Sequence, residues 1–190
     1  MPLSPAVERE HLHLRQIECR GFRRADGLWD IEGHMTDSKT YGFPNKARGR
    51  IEAGEALHNM WLRITIDDHF VIRAVEAVTD AGPFSLCGDI TPNFQRLCGL
   101  RIGAGFTGKT RELLGGVEGC THLVELLGPI ATTAFQTLFS ERRRRADGDA
   151  AAPAPSSGQQ KRPRLLDSCH AFRADGPIVK DTWPGFYTGQ

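Results

Sequence analysis

Apolar and polar positions alternate with a period of two in three stretches of the first eighty residues. In residues 28–36, LWDIEGHMT, the alternating positions Trp29, Ile31 and Met35 are apolar, which is typical of a half-buried strand. Residues 59–66 (NMWLRITI) and 70–79 (FVIRAVEAVT) alternate in the same way and are rich in β-branched side chains. The three residues between them have the length of a hairpin turn, so we predict an antiparallel hairpin there.

The apolar spacing changes to three and four between residues 122 and 139, which predicts an amphipathic helix. Its apolar face consists of Leu123, Leu126, Leu127, Ile130, Ala134 and Leu138. Pro129 lies inside this segment, and because proline removes a backbone donor, we expect the helix to bend or to divide there. Strands followed by helices predict an α+β fold, in which helices pack on one face of an antiparallel sheet.

A change of composition divides the chain of 190 residues. Residues 141–164 are rich in Arg, Ala, Pro, Ser and Gln and hold almost no large apolar side chain, so we predict a disordered linker. Residues 1–140 then form the main α+β domain. Apolar residues return in 165–190, and we expect this segment to dock back on the main domain.

The balance of charge argues against a partner held by a chain-wide field. The formal net charge is +1, and the arginine run at 142–145 has no interleaved aromatic residues, so nucleic acid is a disfavoured partner. No secretory signal and no run of about 18 apolar residues is present, which favours a cytoplasmic protein without a membrane span. The five cysteines, an odd number, are then expected to be reduced thiols.

Residues 103–110, GAGFTGKT, match the phosphate-binding pattern G-x-x-x-x-G-K-[ST]. That motif functions between a buried strand and a long helix, with an aspartate after a later strand to hold magnesium. Here Gly115 and Gly116 end the following helix early, and no apolar strand ending in aspartate follows. We therefore expect a glycine-rich connection rather than a nucleotide site.

The segment GCTHL places a thiol and an imidazole at the start of the predicted long helix. Unpaired amides and the helix dipole favour a thiolate at Cys120, and His122 is close enough in sequence to accept its proton or to share a metal. Asp37 follows the first predicted strand and is a candidate base. A single C-x-H is also compatible with a packed cysteine and a simple helix start.

Further cysteines and histidines lie at the ends of predicted elements, where side chains from different elements converge. These candidate metal ligands are Cys87, Cys169, His170, His34 and His58, in addition to Cys120 and His122. Each alone is typical of a core or strand-end residue, but thiols and imidazoles together suit zinc or an iron centre. Asp37 would add an oxygen ligand.

Several motifs together resemble the bacterial domain of unknown function 2889 family, over nearly the whole chain except the linker. These are GFRRADGLWDIEGHMTDSKTY, AGEALHNMWLRITID, PFSLCGDI, GGVEGCTHLVELLGPIATTAFQT and LLDSCHAFRADGPIVKDTWP. The resemblance implies that the segment after the linker belongs to the domain. It implies no reaction.

The order of hairpin, cysteine loop and helices is also similar to NifU-type iron–sulfur scaffold proteins and their zinc-binding relatives. The resemblance implies a shared metal site in which Cys87 and Cys120 match two of the family's positions and His122 stands beside the second. The chain has Asp37 or His34 where the scaffold has a third cysteine, which favours a tighter zinc site over a labile cluster.

Three functions follow from these residues. The first is a zinc- or iron-binding domain with hydrolase or lyase activity on a small-molecule substrate. The second is a metal-free enzyme in which Cys120 attacks an acyl or thioester carbon. The third is an adaptor domain without catalysis, in which the cysteines and histidines pack.

Overall fold

The computed structural model describes residues 3–148, 162–163 and 165–189. The chain forms two compact units, Met1–Asp147 and Gly148–Gln190. The first unit has six strands: β1 (His13–Arg23), β2 (Trp29–Lys39), β3 (Phe43–Asn45), β4 (Gly49–Ile51), β5 (Ala56–Ile66) and β6 (Ile72–Ala81). Helix α1 (Phe106–Leu114) and helix α2 (Thr121–Gly148) follow, and the second unit has α3 (Pro177–Thr182).

Four long strands form one antiparallel sheet in the order β1-β2-β5-β6, and β3 pairs with β4 in a small separate hairpin. The α+β fold predicted from the sequence is confirmed. The predicted hairpin is β5 and β6, and the Asp67 carboxylate at the turn accepts the backbone N–H groups of His69 and Val71. Alternation in β2 is regular from Trp29 to Asp37, because the odd-numbered positions of this range are buried.

Helix α2 packs on the face of the sheet to which the odd-numbered residues of β2 point. At Gly33 a Cβ atom would lie 2.8 Å from Cδ1 of Ile130, so the absence of a side chain allows the helix to approach the strand closely. Gly21 of β1 makes the same kind of approach to Thr137. The predicted apolar face of α2 is entirely buried in the core.

Pro129 does not divide the helix, since α2 is continuous from Thr121 to Gly148. The helix also continues beyond the predicted domain end at residue 140, so that residues 141–148 of the predicted linker are helical. Residues 149–161 and 164 lie outside the described residues, and the disorder expected there stays a prediction.

The start of the outer edge of β6 is covered by the chain that follows it. The Ile72 N–H donates to the Leu100 carbonyl at 2.8 Å, the Gly99 N–H donates to the Ile72 carbonyl at 2.8 Å, and Val71 forms a bridge with Arg101. Phe94 and Leu97 from this segment are fully buried in the core. The sheet is thus closed at the start of this edge.

Strand β1 has no counterpart among the predicted strands. Its helix-facing positions include Arg15 and Gly21 and its other face includes Leu14 and Phe22, so polar and apolar residues occur on both faces. The short strands β3 and β4 were also not predicted. Alternation identifies a strand only where one face is uniformly apolar.

In the second unit, the rings of Phe172 and Trp183 lie 5.6 Å apart, and Val179 of α3 is fully buried. The docking of residues 165–190 on the main domain stays a prediction. No helix among the described residues is both long enough and apolar enough to cross a membrane.

Candidate metal centre

A row of polar residues crosses three neighbouring strands at one end of the sheet. Arg15 of β1 is the register partner of Asp37 in β2, and Asp37 is the register partner of His58 in β5. Register partners point to the same face of a sheet, here the face covered by α2. The pairing of β2 with β5 shifts between Asp37 and Ser38, so the row lies where the ladder becomes irregular.

Asp37 is the centre of this row and is only 1% exposed. Arg15 holds it with two hydrogen bonds, Nε to Oδ1 at 2.7 Å and Nη2 to Oδ2 at 2.8 Å. His13 Nε2 lies 3.1 Å from Oδ1, and His58 Nδ1 lies 2.9 Å from Oδ2. Each carboxylate oxygen therefore has two polar partners, which is the arrangement that makes a buried charge tolerable.

Burial by itself raises the pKa of Asp37, but the hydrogen bonds and charge of Arg15, with a contribution from His58, outweigh it and lower the pKa to about 2. The carboxylate is thus ionised at neutral pH. Arg15 also pairs with Glu125 of α2, so one guanidinium joins the carboxylate on β2 to the second turn of the helix.

Helix α2 brings His122 onto the row. Its ring lies 3.7 Å from that of His58, centroid to centroid, with an angle of 31° between the planes. Burial lowers the pKa of both imidazoles; the neighbouring His122 lowers that of His58 further, and Arg15 lowers that of His122. Both rings are therefore neutral at pH 7 and have a lone pair available.

Asp37, His58 and His122 each present a ligand atom, and these three atoms all lie within 4.8 Å of one another. Two imidazoles and a carboxylate are a donor set used for zinc and for non-haem iron. Among the residues that the structure describes, Asp37, His58 and His122 form the one group of three histidine, cysteine or acidic side chains that lie close enough to share an ion.

Cys120 lies beside the group, directly before the first residue of α2, and its carbonyl accepts the Val124 N–H. Its Sγ is 3.9 Å from Nδ1 of His122 and 4.0 Å from Sδ of Met60. The predicted pairing of Cys120 with His122 is therefore present as a contact. The set that satisfies the ion geometry nevertheless has Asp37 and His58 in place of the thiol.

The other predicted ligands lie in different places. His34 points to the opposite face of the sheet, where it stacks on Trp61 with ring centroids 3.6 Å apart and contacts Asn59 Oδ1 at 2.7 Å. Cys87 lies in the short 3-10 helix after β6 and is packed so closely on Gly82 that a Cβ atom there would be 3.1 Å from Sγ.

Cys169 and His170 belong to the second unit, where Nε2 of His170 lies 3.1 Å from Nη1 of Arg173. Roles for these residues as ligands, or for Cys120 and His122 as a catalytic pair, remain predictions.

The phosphate-motif residues make helical contacts instead of a phosphate loop. Gly105 has a φ of 81° and precedes α1, and Thr110 is buried and donates its hydroxyl to the Thr107 carbonyl at 3.0 Å. Lys109 lies on the exposed side of α1. The Thr110 hydroxyl, which would hold magnesium in that motif, is thus engaged within the helix, and the expected lack of a nucleotide site stays a prediction.

Sequence reasoning did not identify Arg15, His13 or Glu125 as parts of the site. Arg15 and His13 lie on the strand that was not predicted, and Glu125 is one of many acids on a helix surface. The signal that the sequence does carry is an aspartate on the buried face of β2, because a carboxylate in that place requires a cationic partner on a neighbouring strand.

The fold and the site define an α+β protein with a buried carboxylate–imidazole cluster between an antiparallel sheet and the start of a long helix. The sequence profile described as "Protein of unknown function (DUF2889)" matches residues 13–136, from the first residue of β1 into α2. The chain belongs to this family.

The matched range includes all three members of the Asp37/His58/His122 group. No curated protein and no solved structure matches the chain, and the NifU-type resemblance is not confirmed.

Proposed function

We propose that this protein binds one divalent transition-metal ion, zinc or iron, through Asp37, His58 and His122. The observation that carries the proposal is the mutual approach of their three ligand atoms to within 4.8 Å. These residues come from two strands and a helix, so the fold brings them together rather than a local motif.

The protonation states support the proposal. Metal ligands must be deprotonated carboxylate and neutral imidazole, and these are the states that the environment favours at Asp37, His58 and His122. Arg15 adds a positive charge near the ion, but Glu125 pairs with Arg15. With Asp37 and Glu125 negative and Arg15 positive, the cluster keeps one net negative charge to hold a cation.

The spacing of the ligand atoms also supports it. Two ligands at about 2.1 Å from a tetrahedral ion are separated by about 3.4 Å. Asp37 Oδ2 and His58 Nδ1 are 2.9 Å apart. Asp37 and His58 would therefore need only a small separation of their side chains to hold an ion, and Arg15 and His13 would continue to hold Oδ1 of Asp37.

Three protein ligands leave at least one coordination position for water or substrate, as in catalytic rather than structural zinc sites. An ion held in this way acidifies its bound water, which supports hydrolytic or lyase chemistry on a small molecule. The partly exposed thiol of Cys120 contacts His122 and would therefore lie close to the bound ion.

A second candidate function rests on that same contact. With Sγ 3.9 Å from Nδ1 of His122, Cys120 is placed to pass its proton to the imidazole and to act as a nucleophile on an acyl or thioester carbon without a metal. The two functions differ in what they predict for Cys120→Ser. The metal-binding protein should keep its ion in this variant, whereas the thiol mechanism should lose its nucleophile.

The test is metal analysis of the protein prepared without a histidine tag, as zinc and iron equivalents per chain after dialysis. We expect about one equivalent in the native chain, a loss of at least about tenfold in affinity in His58→Gln and His122→Gln, and retention in Cys120→Ser. His34→Gln is the matched control, because this imidazole lies on the other face of the sheet.

Absence of metal in the native chain, together with rapid alkylation of Cys120 in preference to the other four cysteines, would transfer support to the thiol mechanism. Metal that is lost equally in His34→Gln and His122→Gln would refute the proposed ligand set. If neither bound metal nor selective alkylation of Cys120 is observed, the adaptor function is the one that remains.

A further inference from the structure

We propose that β1 is the surface through which two copies of this chain associate, edge to edge, so that their sheets continue antiparallel into one. The inference rests on the edges of the sheet and is independent of the metal site. Four observations on β1 support it.

The two edge strands of the sheet, β1 and β6, differ in whether their outer backbone groups are hydrogen-bonded to another part of the chain. The β6 edge is bonded at its first residue, Ile72, to Gly99 and Leu100, and the Val75 carbonyl accepts Gln95 Nε2. Within residues 3–147, β1 pairs along its whole length with β2 and with no other strand. An uncovered strand of 11 residues is a template for pairing with another strand.

The direction of the free backbone groups follows from the register. The Thr40 N–H donates to the Leu12 carbonyl at 3.4 Å, and this pair continues the register in which His13 lies opposite Lys39. Since bonded pairs alternate in an antiparallel ladder, the even-numbered residues of β1 bond to β2. The odd-numbered residues, from His13 to Arg23, direct their N–H and carbonyl groups outward.

The edge lacks the usual protection against pairing. The β1 segment has no proline or lysine, and its register with β2 shows no bulge. Each of its three arginines is paired with a carboxylate of the same chain: Arg15 with Asp37, Arg20 with Glu18 and Arg23 with Glu141. The edge is therefore close to electrically neutral, and two such edges do not repel strongly.

The side chains of β1 are complementary to themselves. Leu14, Ile17 and Phe22 are 42%, 39% and 44% exposed. In an antiparallel pair with its two-fold axis at Glu18, Leu14 lies opposite Phe22 of the second copy, and Ile17 lies opposite Cys19. Both contacts occur twice because the pairing is symmetric, so a second copy of the chain covers apolar groups on both faces.

The same register places Glu18 opposite its own equivalent at the axis. Like charges directly opposite each other destabilise a strand pair, although each Glu18 is already held by its own Arg20 at 2.7 Å. Replacing Glu18 with glutamine should therefore tighten the association. Tighter association in this variant is expected only for the proposed register and would not result from non-specific association.

The test is sedimentation equilibrium of the full chain up to about 100 μM, a range that covers micromolar dissociation constants. We expect a species of twice the chain mass of 21.0 kDa. Ile17→Lys should raise the dissociation constant by at least about tenfold, and Glu18→Gln should lower it by about threefold. Val117→Lys, at an exposed apolar residue outside the sheet, is the matched control and should leave it unchanged.

Disulfide trapping tests the register itself. Directly opposite residues are about 5.5 Å apart at Cα, within reach of a disulfide. Ile17→Cys should form an oxidised covalent dimer with the native Cys19 of the second copy, whereas Leu14→Cys, which faces Phe22, should not. Circular dichroism of every variant checks that it is folded.

A native chain that stays monomeric at about 100 μM would overturn the proposal, whether residues 165–189 or a different protein occupy the β1 edge. A dimer with the same dissociation constant in Ile17→Lys and Val117→Lys would overturn it too. If Ile17→Lys does not fold, Glu18→Gln takes its place in the test, and an unchanged or weakened dimer in that variant would refute the proposed pairing.

Discussion

At the residue scale, Asp37 organises the site, because its two oxygens are shared by Arg15, His13 and His58 while its side chain is almost fully buried. A carboxylate in such a place is stable only with its partners, and they in turn are oriented by it. Asp37 therefore has a structural role that exists before any metal is bound.

The first prediction separates that structural role from metal binding. Asp37→Asn removes the charge that Arg15 and His58 contact, so we expect the metal-free protein to lose about 3 kcal/mol of unfolding free energy, measured by urea titration at neutral pH. Asp26→Asn is the matched control, since Asp26 also accepts two hydrogen bonds from an arginine, Arg24, but on the surface. Equal losses in both variants would contradict a central role for Asp37.

The second prediction concerns pH. The pKa values of His58 and His122 are lowered in the fold, below 6.5, because His58 is buried and His122 is half-buried. The unfolded chain therefore takes up protons below about pH 6.5 that the folded chain takes up only at lower pH, so stability should fall as the pH decreases through this range. At still lower pH, below about 3.8, protonation of Asp37 in the unfolded chain adds a further loss that is complete near its folded pKa of about 2.

Urea unfolding of the metal-free protein between about pH 7 and pH 5 measures the histidine part of this dependence. The double variant His58→Gln/His122→Gln should show a flatter profile over the same range. His34→Gln should keep the native slope, because His34 stacks on Trp61 on the opposite face of the sheet and leaves the buried pair unchanged. Parallel profiles for the native chain and the double variant would show that other groups control the acid sensitivity.

At the scale of elements, the approach of α2 to the sheet decides whether His122 reaches the row of Arg15, Asp37 and His58. The approach depends on Gly21 and Gly33, where side chains would meet Thr137 and Ile130 of the helix. The helix is further fixed at its start by the ion pair of Arg15 with Glu125. The position of α2 on the sheet therefore also sets the distance of His122 from Asp37 and His58.

The third prediction tests this approach. Gly33→Ala should lower stability by about 2 kcal/mol, because its Cβ would lie 2.8 and 2.9 Å from two atoms of Ile130. Adding Ile130→Val should recover part of the loss, which a double-mutant cycle in urea measures. Gly108→Ala in α1 is the control of opposite sign: a Cβ there meets nothing within 4 Å, and we expect a gain of about 1 kcal/mol.

The sequence predicted those elements whose burial is one-sided. The alternation in β2, β5 and β6 and the apolar face of α2 were sufficient for the α+β fold, because each element has one uniformly apolar face. Strand β1 was missed since its helix-facing side contains Arg15 beside Ile17. That arginine is there to pair with Asp37, so the same residue that hides the strand also builds the site.

The site was predicted as single residues and not as a set. Asp37, His58 and His122 were each named as candidates, but the sequence centred the hypothesis on Cys120 and His122 with Cys87, Cys169 and His170, and gave Asp37 and His58 only a supplementary place. Which residues share a face across strands depends on the register, and the shift between Asp37 and Ser38 is not readable from composition or spacing. The distance of His122 from the sheet depends in turn on two glycines of other strands.

At the scale of the whole molecule, all proposed ligands lie in the first compact unit, Met1–Asp147. The fourth prediction follows from this arrangement. A chain shortened to residues 1–148 should bind zinc with an affinity within about threefold of the full chain, as measured by competition with a chromophoric chelator. A loss of more than about tenfold would show that the later residues contribute to the site.

The same shortened chain tests the predicted docking of residues 165–190. If this segment packs on the main domain, its removal should lower the thermal midpoint by several degrees, since burial of even a few apolar side chains is worth more than about 1 kcal/mol. An unchanged midpoint would mean that the second unit is energetically independent. Full-length chain carrying Val179→Ala, a change at a buried residue of the second unit, provides the comparison.

The three ligands of the proposed ion lie far apart along the chain, with Asp37 and His58 in the sheet and His122 in a helix made later during synthesis. Contacts of such long sequence separation form after much of the chain has been ordered, so the site is completed only when α2 settles on the sheet. An ion bound there joins the latest native contact, and therefore slows unfolding while leaving the folding rate almost unchanged. Bound metal would thus act on this protein chiefly by raising its kinetic stability, that is, by lengthening the lifetime of each folded molecule.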